Sequence, residues 1–323
     1  GESGEAQLIR YDAKGRNAQV LVPRGFDAVA GVDDAGRVLA TVFATPQEVQ
    51  VQRIDPALGP AAAPAVLARG LGERSAVLAR SSGHVAITSA TLDTPATTTV
   101  FAADGSRIAE LPSVAELPRV WPEPQLMTVE VGGETFHAAV LRPRGFDASR
   151  KYPVIDSVYG GPTVTVVTAN ATAYLRDQWF ADHGFIVVKS DNRGTPRRDR
   201  DWTRAFKDAR GENGDALSVI VNDQAAVLAA VAAKVPQMDL QRVGIFGWSY
   251  GGTSSAAAVL LRPDDFKAAV AGAPVTDWQD YDTHYTERYL DTPQANPAGY
   301  AKSNLVARAG ELTRPLLLMH GSG

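Results

Sequence analysis

A serine set between two glycines at the junction of a strand and a helix constrains this chain more than any other feature. Arg242 to Phe246 reads as a buried strand, Gly247-Trp248-Ser249-Tyr250-Gly251 follows at once, and Tyr250 to Leu261 reads as an Ala-rich helix. Turning from strand to helix within so few residues forces Ser249 into a strained backbone conformation. Side chains at 247 and 251 would collide with neighbouring elements, and glycine removes the Cβ at both. The hydroxyl then projects beyond the strand's C-terminal edge, where the amides at the start of the helix favour developing negative charge. The Tyr250 amide is the first such donor. With strand and helix both in place, the pattern is that of a nucleophile. Without its flanks it is only a turn that packs a helix on a sheet.

The elements around this corner alternate. Pro153 to Tyr159 reads as a strand, Ala171 to His183 as a helix closed by Gly184, and Phe185 to Ser190 as a near-continuous apolar strand. Asn222 to Lys234 is an Ala/Val-rich helix, and Lys267 to Ala271 and Pro315 to Met319 are further buried strands. Apolar strands alternating with helices imply a mostly parallel sheet covered on both faces. Two strands precede it, Leu126 to Val131 and Thr135 to Leu141, turning at Gly132-Gly133.

Upstream of the Pro-rich hinge Leu117 to Pro124 the pattern changes. Leu8 to Tyr11, Val20 to Val22, Val38 to Phe43, Glu48 to Ile54, His84 to Ser89 and Thr97 to Phe101 read as short strands between Gly/Asp turns. That spacing predicts an all-β portion, a sandwich, barrel or propeller. The expected domains are 1–124 and 125–323. Pro-Arg-Gly-Phe-Asp-Ala occurs at 23–28 and again at 143–148, with no repeating period between, so it does not mark a repeat unit.

Charge and composition narrow the function. With 32 basic against 36 acidic residues, the net charge of −4 offers no footprint for nucleic acid. The absence of cysteine excludes disulfides, thiolate nucleophiles and Cys-ligated metals. No apolar run approaches the roughly 20 residues of a membrane span. The start, Gly1-Glu2-Ser3-Gly4, is neither a signal peptide nor an initiator Met, so the natural N-terminus is expected elsewhere. Arg197, Arg198, Arg200 and Arg204 interleave with Asp199 and Asp201, which predicts a solvated, ion-paired loop. No spacing suggests a metal site or a cofactor fingerprint.

Tyr152-Pro153-Val154 through Tyr159-Gly160-Gly161-Pro162, Asp191-Asn192-Arg193-Gly194, Gly247 to Gly252 and Ala273 to Tyr289 together resemble the prolyl oligopeptidase family, in particular its dipeptidyl-peptidase IV branch. The resemblance covers about 126–321. It implies an α/β-hydrolase fold preceded by part of a β-propeller. It also implies a serine peptidase that cuts after proline or alanine and releases N-terminal dipeptides. Ser249 would be the acylated nucleophile. Tyr159 would place its phenol in the oxyanion hole beside the Tyr250 amide. Tyr250, Val275, Trp278, Tyr281 and Tyr285 would wall the pocket for the residue before the cleaved bond. A flat aromatic slot suits a pyrrolidine ring, whose nitrogen carries no proton to satisfy. Spacings of three and four residues would equally suit one amphipathic helix burying Trp278, Tyr281 and Tyr285 as core. No cofactor is implied. The implied partner is a peptide, and relatives suggest a homodimer and a periplasmic or secreted location.

The base is a separate matter. In this fold the order is Ser, then Asp or Glu, then His. Of five histidines, His84, His137, His183, His284 and His320, only the last two follow Ser249. His284 lies among the pocket aromatics and reads as a packing or surface residue. His320 ends the last strand, and the family's Asp and His are expected beyond Gly323. Asp282 and Glu287 are carboxylates with no second histidine beside them. No Glu-Glu pair is present to grip a free amino terminus, and Thr253-Ser254 stands where relatives often carry a bulkier residue. Two alternatives follow: an oligopeptidase, acylaminoacyl-peptidase or esterase on the same fold, or a non-catalytic relative or inactive fragment.

Overall fold

The computed structural model describes residues 6–59, 62–208 and 216–321, and the chain divides into two units. The first runs through Glu123 and takes in Thr168–Leu175 and Arg197–Arg200. Strands β1 (Leu8–Arg10) and β2 (Gln19–Val22) pair with each other. The next four, β3 (Phe26–Val32), β4 (Val38–Thr45), β5 (Glu48–Ile54) and β6 (Ala65–Ala68), form an antiparallel meander. A second meander comprises β7 (Glu73–Leu78), β8 (Val85–Ala90), β9 (Thr97–Phe101) and β10 (Arg107–Leu111). Four-stranded meanders are the form of propeller blades. Alternation in β5 buries Val49 and Val51, and Leu39, Val51, Val85 and Ile87 join the two sheets in one apolar cluster. Arg53 is buried on the same face of β5 and donates to the carbonyls of Gly83 and Ala103. Strands β3, β6, β7 and β10 are not legible in the pattern, because their alternation leaves many apolar side chains half exposed.

The Arg-rich segment differs from expectation. Arg197 is 18% exposed and reaches Asp27 (3.4 Å) and Glu73 (2.9 Å) rather than the neighbouring aspartates alone. Acids far away in sequence hold it, so the solvated-loop reading fails at this residue.

The second unit is a seven-stranded mixed sheet. Its strands are β11 (Gln125–Val131), β12 (Glu134–Leu141), β13 (Tyr152–Ser157), β14 (Ile186–Ser190), β15 (Met238–Trp248), β16 (Ala268–Gly272) and β17 (Leu316–Met319), in the order β11-β12-β14-β13-β15-β16-β17. The pairings β11/β12 and β12/β14 are antiparallel and the rest parallel. Among the described residues six helices accompany the strands: α1 (Leu175–Asp182), α2 (Arg200–Asp208), α3 (Ala216–Lys234), α4 (Tyr250–Leu261), α5 (Thr283–Leu290) and α6 (Pro297–Ser303). All of β14 is buried because both faces of the sheet are covered. Val154, Val188 and Ile245 share a core with α3 and α4. On the opposite face Ser157 donates to Asp177 of α1 (2.7 Å), Lys189 pairs with the same carboxylate (2.6 Å), and Phe180 packs on Phe246.

Two expectations need correction. First, α3 begins at Ala216, six residues earlier than its pattern suggests, and is among the described residues the one helix long and apolar enough to cross a membrane. Here Leu217, Ile220, Val221, Val227, Leu228 and Val231 pack it onto the sheet. Second, β17 is not buried: Leu317 and Leu318 are 57% and 56% exposed. The strand lies at the end of the sheet and pairs with β16 alone.

Candidate active site

Ser249 sits at φ 57°, ψ −121°, between β15 and α4. A left-handed φ is costly for a residue with a Cβ and persists only where its surroundings over-determine it. Here they do: the Ser249 amide donates to Gly272 O (2.9 Å), and the Thr253 amide to Ser249 O (3.1 Å). A Cβ at Gly247 would run into the Gly251 carbonyl, one at Gly251 into Val158 O, and one at Gly252 into Gly272 O. The collisions expected at 247 and 251 are therefore with backbone, which cannot give way. Tyr250 opens α4, and its amide precedes the helix's first internal bond.

The predicted site residues converge around this corner. Tyr159 follows β13, and its phenol makes side-chain hydrogen-bonding contact with Ser249 and Thr163. Burial, reinforced by Tyr281, raises the Tyr159 pKa above the ordinary phenol value, while the Ser249 and Thr163 hydroxyls oppose that rise. The phenol therefore stays a proton donor throughout the neutral range. Its ring lies 6.2 Å from that of Tyr250, and Tyr250 lies 5.2 Å from Trp278. Trp278 stacks with Tyr285 at 6.3 Å and meets Tyr281 edge-on at 5.8 Å. Val275 packs against this cluster.

The aromatic run is not one helix. Trp278–Asp280 forms a single tight turn capped by Asp277, and α5 starts afresh with Asp282 as its cap, accepting from the Tyr285 amide at 2.8 Å. Asp282 is thus committed to a helix start. Trp278 is 5% exposed and Tyr281 43%, so the turn lays the rings out as a wall with one open edge.

The pair Thr253-Ser254, marked in sequence only as a departure, holds two parts of the site. The Thr253 hydroxyl bridges the amide and carbonyl of Val275, each at 2.9 Å. The Ser254 hydroxyl lies 3.1 Å from Tyr159 O and 2.9 Å from Tyr250 O. Thr163 carries no signal in the sequence. Only proximity of 159, 163 and 285 in space reveals it, since its hydroxyl also contacts the Tyr285 phenol. Replacing Thr163 by valine is expected to loosen both phenols and slow the reaction of the Ser249 hydroxyl by about tenfold, with serine at 163 restoring it. The rate of fluorophosphonate labelling of the three proteins checks this.

Ser249 has no histidine or carboxylate among its hydrogen-bond partners in the described residues. His284 is exposed on α5, His320 is exposed after β17, and His183 Nδ1 meets Trp179 O at 2.7 Å. Among the described residues no cluster of His, Asp and Glu could hold a metal ion.

Residues 171–323 match the model of the prolyl oligopeptidase family. The chain is 38% identical over 217 residues to dipeptidyl peptidase 8 of Homo sapiens, covering 65% of this chain and 23% of that protein. It is 36% identical over 221 residues to a probable dipeptidyl-aminopeptidase B of Aspergillus clavatus, covering 67% and 23%. Among solved structures it resembles Porphyromonas gingivalis dipeptidyl peptidase 4, with a TM-score of 0.86 and 27% identity over 98% of this chain and 45% of that one. A putative dipeptidyl aminopeptidase IV of Bacteroides ovatus gives a TM-score of 0.80 at 26% identity. The chain thus spans under half of those solved chains and about 23% of the curated relatives. The fold is an α/β-hydrolase preceded by an all-β portion of propeller type.

Proposed function

The chain belongs to the prolyl oligopeptidase family, and from that premise we propose that it serves a serine peptidase releasing N-terminal dipeptides after proline or alanine. The observation that carries the proposal is the Ser249 hydroxyl at its strained corner, in contact with the Tyr159 phenol and next to the aromatic wall. In this mechanism Ser249 Oγ attacks the scissile carbonyl while a histidine base takes its proton. That histidine and the carboxylate orienting it are expected C-terminal to Ser249. The oxyanion accepts hydrogen bonds from the Tyr159 phenol and the Tyr250 amide. Donors fixed before the reaction stabilise developing charge without reorganising. Collapse expels the amine and leaves the acyl group on Ser249, and water then releases the dipeptide.

The aromatic wall supports the reading for proline. Tyr250, Val275, Trp278, Tyr281 and Tyr285 offer flat apolar surface to a rigid ring. A proline nitrogen brings no N–H that such a wall would leave unsatisfied. Alanine would fit loosely, and larger side chains would clash.

The competing reading, an oligopeptidase that ignores the free amino group, draws on the lack of a Glu-Glu pair. Glycyl-prolyl-p-nitroanilide and its N-benzyloxycarbonyl form, offered to the full-length protein, separate the two. The free amine is expected to be cleaved at least about a hundredfold more efficiently, because recognition of a charged group discriminates strongly against its absence. Cleavage of the blocked substrate alone would overturn the dipeptidyl assignment.

A further inference from the structure

The loop that carries Tyr159 is clamped from below by polar side chains that never reach the substrate pocket. Asp191 and Asn192 directly follow β14. Asp191 accepts the amides of Val166 (2.7 Å) and Val167 (3.2 Å) at the far end of the loop. Asn192 Nδ2 donates to Gly160 O (3.1 Å), the carbonyl next after Tyr159, and to Arg193 O (2.7 Å). Its Oδ1 accepts from Gln224 Nε2 of α3 (3.2 Å). Gln224 is fixed in turn: its Nε2 also donates to Ser190 O (3.2 Å), and its Oε1 accepts from the Ser190 hydroxyl (2.5 Å). Ser190, Asn192 and Gln224 are each at least 99% buried.

This network leaves no freedom. Both Asn192 amide protons face carbonyls, so the amide cannot flip without setting oxygen against oxygen. Gly160 has φ +82°, and a Cβ there would strike Ser254 Oγ and Ile220. A side chain at 160 is therefore excluded, and the bond from Asn192 to the Gly160 carbonyl fixes the peptide that directly follows Tyr159.

We propose that Asn192 is a positioning residue, oriented by Gln224, which sets the Tyr159 phenol for oxyanion binding through its bond to the Gly160 carbonyl. The proposal deepens the peptidase reading and rests on it. Asn192 touches neither Ser249 nor the pocket wall, and it acts only through Tyr159.

A double-mutant cycle on the full-length protein tests this. Asn192→Asp keeps the shape but turns acceptors toward two carbonyls. It is expected to lower kcat about 10- to 100-fold with KM changed less than about twofold, because a donor used only in the transition state is displaced. Gln224→Glu is expected to lower kcat in the same way and to a smaller degree, which keeps the test open should Asn192→Asp fail to fold. Tyr159→Phe alone should lower kcat about 10²- to 10³-fold. In the Tyr159→Phe background either relay substitution should then cost less than about twofold, since it acts on a phenol no longer present. Full additivity in the double mutants overturns the positioning role, as does unchanged kcat in a folded Asn192→Asp protein. If Tyr159→Phe itself leaves kcat intact, the oxyanion assignment has failed instead, and the two failures are distinct.

Discussion

Substituting Ser249 by alanine in the full-length protein is expected to abolish peptide hydrolysis, lowering kcat on the order of 10⁶-fold, while leaving the thermal midpoint nearly unchanged. The loss is large because the hydroxyl would be both the attacking group and the atom acylated. Among the described residues the phenol beside it, Tyr159, is held protonated by burial and does not replace it. The fold should tolerate the change. Serine and alanine share the Cβ that makes φ 57° costly, so the strain is equal in both, and the Ser249 side chain makes no helix-capping hydrogen bond that alanine would remove. Labelling with a fluorophosphonate gives a second measurement: the parent protein should take up one equivalent and the alanine variant none. Retained labelling, or hydrolysis within about tenfold of the parent, would show that the chemistry lies elsewhere.

The largest effect on stability is expected at Asp156. It lies on β13 on the face shared by Val154, its register partners are Val188 and Ile245, and it is 0% exposed. Among the described residues neither of its carboxylate oxygens has a hydrogen-bond partner. Burial pushes its pKa up to about 8. The folded protein therefore holds a proton that the unfolded chain, with a carboxylate near 3.9, has already released. Between about pH 4 and 8 the folded state binds more protons than the unfolded state, so stability falls as pH rises through that window, by at most ~1.4 kcal/mol per pH unit. An asparagine at this position would mimic the neutral acid without that linkage. Asp156→Asn is expected to match the parent near pH 4 and to exceed it by on the order of 3–4 kcal/mol at pH 7, read as a higher urea midpoint. A variant less stable than the parent at pH 7, or a difference independent of pH, would mean that Asp156 is ionised and paired.

The same six residues show how far a local pattern reaches. In Pro-Arg-Gly-Phe-Asp-Ala at 23–28, Phe26 opens β3 and Asp27 bonds to Thr41 and Arg197. At 143–148 the hexapeptide is a loop and turn, with Phe146 stacked on Tyr152 at 5.3 Å and Asp147 closing onto Ser149. Identical side chains take different structures because different neighbours arrive. The blades' outer strands were illegible for a related reason: they bury few side chains, so no strong period marks them.

The serine corner was legible because its requirements are local. A strand, a helix and glycines where backbones nearly touch are all written within about twenty residues, and the boundaries of α4 agree with the expected ones. Tyr159 and the aromatic wall came from family resemblance rather than from any period, and their common placement depends on contacts among β13, α4, α5 and the tight turn between them. Thr163 and Gln224 carried no local signal, and Asn192 stood only within a segment of the family resemblance, with no role attached to it. A polar residue's role is set by whichever donors and acceptors the fold brings within about 3 Å, and those partners here are tens of residues away in the chain. The amino-acid order alone determined where a nucleophile could stand; only tertiary packing decided what holds the Tyr159 phenol beside it, because burial leaves each polar group to find its partner across the sheet.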